Sequence, residues 1–352
     1  MKTFVHGKNK TVILFVLAIF ILWGCTNQPK KNDVVFPIDQ SVILKEVQIP
    51  EVLALPFNLL IHRNHIVVYD GKTDYFLKLF STDDFEYKGQ AIRRGRGPNE
   101  EVDISYQFKN YKQDTFLYHN TSSVKLGNFE NSNLSVMHEY TIPADMYGDT
   151  EFFIVNDKIC SATSYIPKSR DFRCFNINSG DLFEWGEQPP IIRPKSLPSE
   201  EPFYIAKYVT INEELNLLAV VYQNLPILRI YCTKTGSLKS QIEMADWSTN
   251  KEFFEKNTYD IGFITYYLLL RSTKEYIFGL YPGRALSFDD NSIPDVSSTV
   301  HVWKWDGTPV MEIEFDRPIF SFDITPDNKQ IIASSIIDID KLFVTDIPWV
   351  TD

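Results

Sequence analysis

The stretch IFSFDITPDNKQIIASSIIDIDKLFVTDI, residues 319–347, holds three short apolar runs separated by polar turns. Ile319–Ile324, Gln330–Ile336 and Leu342–Ile347 are rich in Ile, Phe and Val and too short for ordinary helices, which is the signature of β-strands. Thr325-Pro326-Asp327-Asn328 supplies turn chemistry between the first two. Upstream, similar runs gather in fours, so this last group is one strand short. The spare strand lies at the other end of the chain. VILKEVQI, Val42–Ile49, precedes the first group and has no partner there. If it pairs with the last group, both chain ends close one ring. Closure hides strand edges that would otherwise recruit other chains.

The intervening sequence fits that reading. HIVVYD, YFLKLFS, DTFLYH, FFIVND, LLAVVYQ, LRIYCT, EYIFGLY and VHVWKW are each strand-length and rich in β-branched and aromatic residues. Asp306-Gly307 is a two-residue hairpin signal, and Ser179-Gly180-Asp181 and Thr235-Gly236-Ser237 serve alike. Helical periodicity is rare; Asp246–Asn257 predicts one short helix in a connection. Groups of four strands begin near Pro56, Ile104, Glu151, Tyr204, Asp260 and Ile319, spaced roughly 47–60 residues apart. Four strands with their turns need about 40–50 residues. The expected fold is all-β, a six-bladed β-propeller over residues 42–352. Seven blades would be a tight fit. Trp185, Trp247, Trp303, Trp305 and Trp349 are read first as blade-to-blade packing and second as sugar-stacking surfaces.

Composition narrows the function classes. The 352-residue chain is 44% hydrophobic and 14% aromatic, ample for a large core. Its net charge of −11 argues against a nucleic-acid partner. Residues 1–24 carry Lys2, Lys8 and Lys10 and then a 13-residue apolar run, Thr11–Trp23. As a helix that run spans about 20 Å, short of a bilayer core, so the segment reads as a signal peptide. It ends in Leu22-Trp23-Gly24-Cys25, which resembles a bacterial lipobox with Cys25 as the lipidated residue. Trp23 stands where a small residue is usual. The alternative is a plain secretory signal with an incidental cysteine. Residues 25–41 then form a flexible, lipidated tether. Removing residues 1–24 takes three lysines and no acid, leaving −14. So acidic a protein gains nothing from anionic lipid, and a membrane partner implies the lipid anchor. Thr26-Asn27 lacks an acidic retention signal, which points to the outer membrane, on either its periplasmic or its surface side. Cys160, Cys174 and Cys232 are expected as buried free thiols; the alternative is a Cys160–Cys174 bridge between neighbouring strands.

One segment stands apart: Arg93-Arg94-Gly95-Arg96-Gly97-Pro98-Asn99-Glu100. It joins the last strand of the first blade to the second blade. The two glycines permit a tight turn and Pro98 stiffens its exit. Placed at the channel mouth, Arg93, Arg94, Arg96, Asn99 and Glu100 form a candidate ligand-binding set, since guanidinium groups suit planar carboxylates or phosphates. The plainer reading is a structural connection in which Glu100 pairs one arginine. Gly95, Gly97, Pro98 and Glu100 match the G-x-G-P-x-E-like turn of the TolB-like six-bladed propeller lipoproteins of Bacteroides-type bacteria, and the chain resembles that family. The final FSFDITPDNKQIIASS is similar to their last-blade hairpin. The resemblance implies a fold and an envelope location more than an activity.

No GxSxG, P-loop, HExxH or EF-hand loop is present, and no Cys/His spacing suits a metal, so neither cofactor nor metal is expected. The sequence therefore reads as a non-enzymatic envelope lipoprotein whose propeller binds a glycan, a peptide or an envelope protein at the channel rim. The alternative is a propeller enzyme, a glycan-acting hydrolase or lyase with acids at the channel mouth. Aromatics and arginines at the mouth would favour binding; clustered acids or histidines around a metal would favour the enzyme.

Overall fold

A computed structural model describes residues 34–112, 114–130, 133–166, 170–187, 203–246, 248, 250, 264–285, 298–335 and 337–349. The expected signal peptide, Cys25, Trp247 and nearly all of the expected short helix lie outside them. Six sheets, each built on four antiparallel strands, follow one another along the chain as six blades. Their inner strands are Pro56–His62, Lys109–Tyr111, Thr150–Val155, Lys207–Asn212, Leu269–Ser272 and Ile319–Ile324. Each blade then steps outward strand by strand, as in blade four: Lys207–Asn212, Leu217–Tyr222, Ile227–Cys232, Leu238–Glu243. No described helix is long and apolar enough to cross a membrane.

Burial follows position in the blade. Leu217–Tyr222, the second strand of blade four, is buried at five of six positions, because neighbouring blades cover both its faces. Outer strands reach solvent: Leu238–Glu243 alternates half-buried and exposed residues, and Asn133–Thr141 of blade two is mostly exposed. The core accordingly lies between blades. Phe76, Phe108, Phe116 and Tyr118 fill the seam of blades one and two. Phe153, Phe172, Trp185 and Tyr231 fill that of blades three and four. Trp303 is fully buried and Trp305 nearly so, and Trp349 lies 4.7 Å from Tyr276 between ring centroids. The described tryptophans thus serve packing. At Asp306-Gly307 the expected hairpin forms, with Gly307 at φ +90°.

The ring closes as the sequence predicts. Lys45–Val47 pairs antiparallel with Leu342–Asp346 and completes blade six, with Lys45 opposite Val344. The N-terminal segment also does something unforeseen. Ile38–Val42 lies parallel along Pro309–Phe315 as a fifth strand on blade five. A strand therefore lies partly within the segment read as tether. Two blades are sealed by one stretch of chain.

The thiol reading is corrected at two positions. Cys160 and Cys174 form a disulfide within blade three. The strands Lys158–Ile166 and Phe172–Asn176 pair in a register that sets Cys160 directly opposite Cys174, with 4.0 Å between Cα atoms. Apolar strand context suggested burial, which holds, but register decides bonding. Cys232 remains a free, half-buried thiol.

Candidate functional site

The arginine-rich turn is well formed but lies elsewhere than at the channel mouth. Glu100–Glu101 pairs parallel with Arg93–Arg94 and makes a fifth strand outside the outermost strand of blade one. Four strand spacings, about 19 Å, separate it from the inner strand. The turn therefore sits on the perimeter, and residues 102–108 carry the chain back toward the axis. Its geometry is that of a connection. The Gly97 N–H donates to Glu100 Oε2 at 2.8 Å, and Arg93 pairs Glu100 at 3.3 Å. A Cβ on Gly95 would fall 1.9 Å from that carboxylate oxygen, so any other residue there would push the Glu100 side chain aside. Arg94 lies 3.6 Å over the Phe76 ring and donates to the carbonyls of Thr73, Asp70 and Gly71. Arg93, Arg96 and Asn99 stay exposed.

The axis is built from residues far apart in sequence. Lys109 of blade two reaches across two blades: its ammonium donates to the Glu151 carboxylate of blade three and to Val209 O of blade four, the latter at 3.0 Å. Arg271 of blade five donates to Phe322 O of blade six, and to Asn58 Oδ1 and Leu59 O of blade one at 2.8 and 2.9 Å. Its Nε lies 4.0 Å from Asp323. Asp323 accepts from Ile61 N–H at 2.7 Å and Ile324 N–H at 2.8 Å. Burial lowers the pKa of both Lys109 and Arg271 and raises that of Asp323. Glu151 adopts φ +59°, an uncommon backbone state for a non-glycine residue and one that gathers at functional sites.

These cross-braces divide the channel. Lys109 and Arg271 line two separate chambers, one open to each face of the ring. The larger, about 400 Å³, is walled by all six inner strands and opens beside the connections from first to second strands, including Asn212–Glu214 and Thr273–Lys274. The smaller, about 110 Å³, opens on the face of the blade-to-blade connections, where Phe57, Tyr106 and Phe320 form its rim. The ring centroid of Phe57 lies 6.2 Å from that of Tyr106 and 5.9 Å from that of Phe320.

Among the described residues, that second face also carries more of the exposed apolar side chains. Strands alternate in direction, so blade-to-blade connections and second-to-third-strand connections share a face. Fourteen large apolar side chains are exposed among the described residues. Val52, Phe57, Val102, Tyr106, Tyr147, Phe320, Ile337 and Ile339 belong to this face, and Leu182 and Leu215 to the other. Among the described residues no three His, Cys, Asp or Glu side chains are arranged as metal ligands.

Sequence reasoning missed the waist residues because they are dispersed. A signal did exist. Every inner strand carries a charged or amide side chain that a fully buried strand would not need: Asn58, Lys109, Glu151, Lys207, Arg271 and Asp323.

Fold and channel define a closed six-bladed propeller whose axis is crossed by buried charged side chains. Residues 33–327 match the family described as TolB-like 6-blade propeller-like, and the chain belongs to that family. Among solved structures it is similar to a duf4221-family protein of Bacteroides vulgatus, at 12% identity and a TM-score of 0.52, covering 90% of this chain and all of that one. It is also similar to a candidate exported protein of Bacteroides fragilis, at 11% identity and a TM-score of 0.53, covering 88% of this chain and 99% of that one. Such identities speak to the fold alone. None of the curated proteins compared matches the chain.

Proposed function

We propose that the protein is a non-enzymatic, lipid-anchored binding protein of the cell envelope, probing a protein partner with the face that carries its blade-to-blade connections. The observation that carries this reading is that eight of the fourteen exposed large apolar side chains among the described residues lie on that face, with Phe57, Tyr106 and Phe320 at its mouth. Exposed apolar surface of this kind marks interaction sites. Val52, Val102, Ile337 and Ile339 are aliphatic, and aliphatic side chains suit a peptide or protein surface better than a sugar ring. The enzyme alternative finds less support, since Glu151, the acid of that mouth, is engaged by Lys109. Export is supported by the signal-like N-terminus and by the Cys160–Cys174 bridge, because disulfides persist in oxidising compartments. The exported description of the Bacteroides fragilis protein agrees with it.

A photo-crosslinking residue placed at Phe320 in living cells should yield a discrete adduct with one envelope protein. The same residue at Leu215, on the opposite face, should yield none. Equal adducts from both faces would refute the assignment of the surface. Separately, Cys25→Ala should move the protein from the membrane fraction to the soluble one; retention in the membrane would refute the lipid anchor.

A further inference from the structure

The larger chamber faces away from the proposed docking surface and carries its own chemistry. Its floor holds two fixed cations, Lys109 and Arg271, and one acid, Asp323. The Glu151 carboxylate that accompanies Lys109 lines only the smaller chamber. Lys109 is matched by Glu151 and Arg271 by Asp323, so what the floor offers a ligand is N–H and O–H donors rather than net charge. It is rich in unspent donors. The Lys109 ammonium has three N–H groups and uses two, on Glu151 and Val209 O. Arg271 Nη1 has only a 3.5 Å contact, with Leu270 O. Thr210 and Ser272 share one hydrogen bond of 2.5 Å, and one hydroxyl proton remains over. Asp323, by contrast, already accepts two backbone N–H groups. The rest of the lining is mixed, with Ile61, Ile154 and Ile211 as apolar members beside Asn110 and Asn212.

The geometry points to a carboxylate-recognition site: the larger chamber takes a ligand whose carboxylate sits on the floor between Lys109, Arg271 and the Thr210–Ser272 hydroxyls, with an apolar body against Ile61, Ile154 and Ile211. A chamber of about 400 Å³ falls within the range of small-molecule sites, roughly 300–1,000 Å³. Arg271 is nine-tenths buried, so an entering anion meets a desolvated cation and bonds more strongly than it would on the surface. The carboxylate could belong to a free organic acid or to a peptide C-terminus, and the probes separate these sources.

Isothermal titration of the purified full-length chain uses hexanoate against hexanamide, and alanyl-alanyl-leucine with a free against an amidated C-terminus. At least one acid should saturate, its amide binding roughly tenfold more weakly or worse. Saturation by hexanoate assigns a free acid; saturation by the tripeptide acid alone assigns a peptide end. Neither acid saturating at millimolar concentration, or acid and amide binding alike, overturns the proposal. Thr210→Tyr fills the chamber without removing a charge and should abolish uptake; binding at wild-type strength in that variant also overturns it. Lys109→Gln combined with Glu151→Gln removes the cation without stranding its acid, and should weaken the acid while leaving the amide unchanged.

Discussion

The perimeter turn and the axial waist are both charged, and they use charge in opposite ways. At the turn, Arg93, Arg94, Gly95, Gly97 and Glu100 are consecutive or nearly so, and their bonds are local. Arg93 is 61% exposed at its side chain, where an ion pair contributes at most about 1 kcal/mol. At the waist, Lys109, Glu151, Arg271 and Asp323 come from four blades and are nearly buried. There a cation without its partners costs several kcal/mol. The conspicuous motif holds one corner of one blade; the inconspicuous set ties blades together across the axis.

The contrast breaks if the waist can be cut cheaply. Arg271→Ala removes hydrogen bonds to blades six and one, and strips Asp323 of its cation. Urea unfolding should show a loss of about 3–5 kcal/mol. A loss below about 1 kcal/mol would make the brace ornamental.

Interior titrations sharpen the same contrast. Burial pushes the buried His119 imidazole down from 6.5 to about 4. The unfolded chain binds that proton near 6.5, so the stability His119 contributes is complete above 6.5 and drains as pH falls toward 4. Burial pushes Asp149 up from 3.8 to about 6, against the pull of Ser161 and Arg173. Its contribution is complete below 3.8 and is lost as pH climbs toward 6. Each shift corresponds to about 3 kcal/mol, and the two slopes oppose one another between pH 4 and 6. His119→Gln should leave stability falling with rising pH across that window, and Asp149→Asn should leave it rising. Unchanged denaturation profiles would show that these groups are not held as described.

The smallest effects belong to the perimeter. Gly95→Ala displaces the Glu100 carboxylate from Gly97 N–H and should cost about 1–2 kcal/mol. Arg96→Ala, on an exposed side chain, should change stability by less than about 0.5 kcal/mol in the same denaturation experiment. Arg96→Ala costing as much as Gly95→Ala would overturn the division of roles within the turn.

How much was legible follows from how each feature is encoded. Blade count and closure were readable because strand runs and turn residues recur locally, and because Val42–Ile49 was visibly spare. The Arg93–Glu100 segment was readable as a turn, but its distance from the axis was not, since that depends on the extra parallel strand. Cys160 and Cys174 look like two buried thiols until register sets them face to face. The waist was hidden for a further reason. Its members are 42 to 120 positions apart in successive steps, and nothing local marks any one of them as a partner of the others.

The segment Ile38–Val42 gives the ring a mechanical character. A pull entering the chain from upstream is first borne by five residues paired in parallel with blade five. Only when these yield does force reach Lys45–Val47, the seam of blade six. The arrangement works like the strain relief on a cable: a tug on the chain would be spent on blade five before it could unzip the toroid.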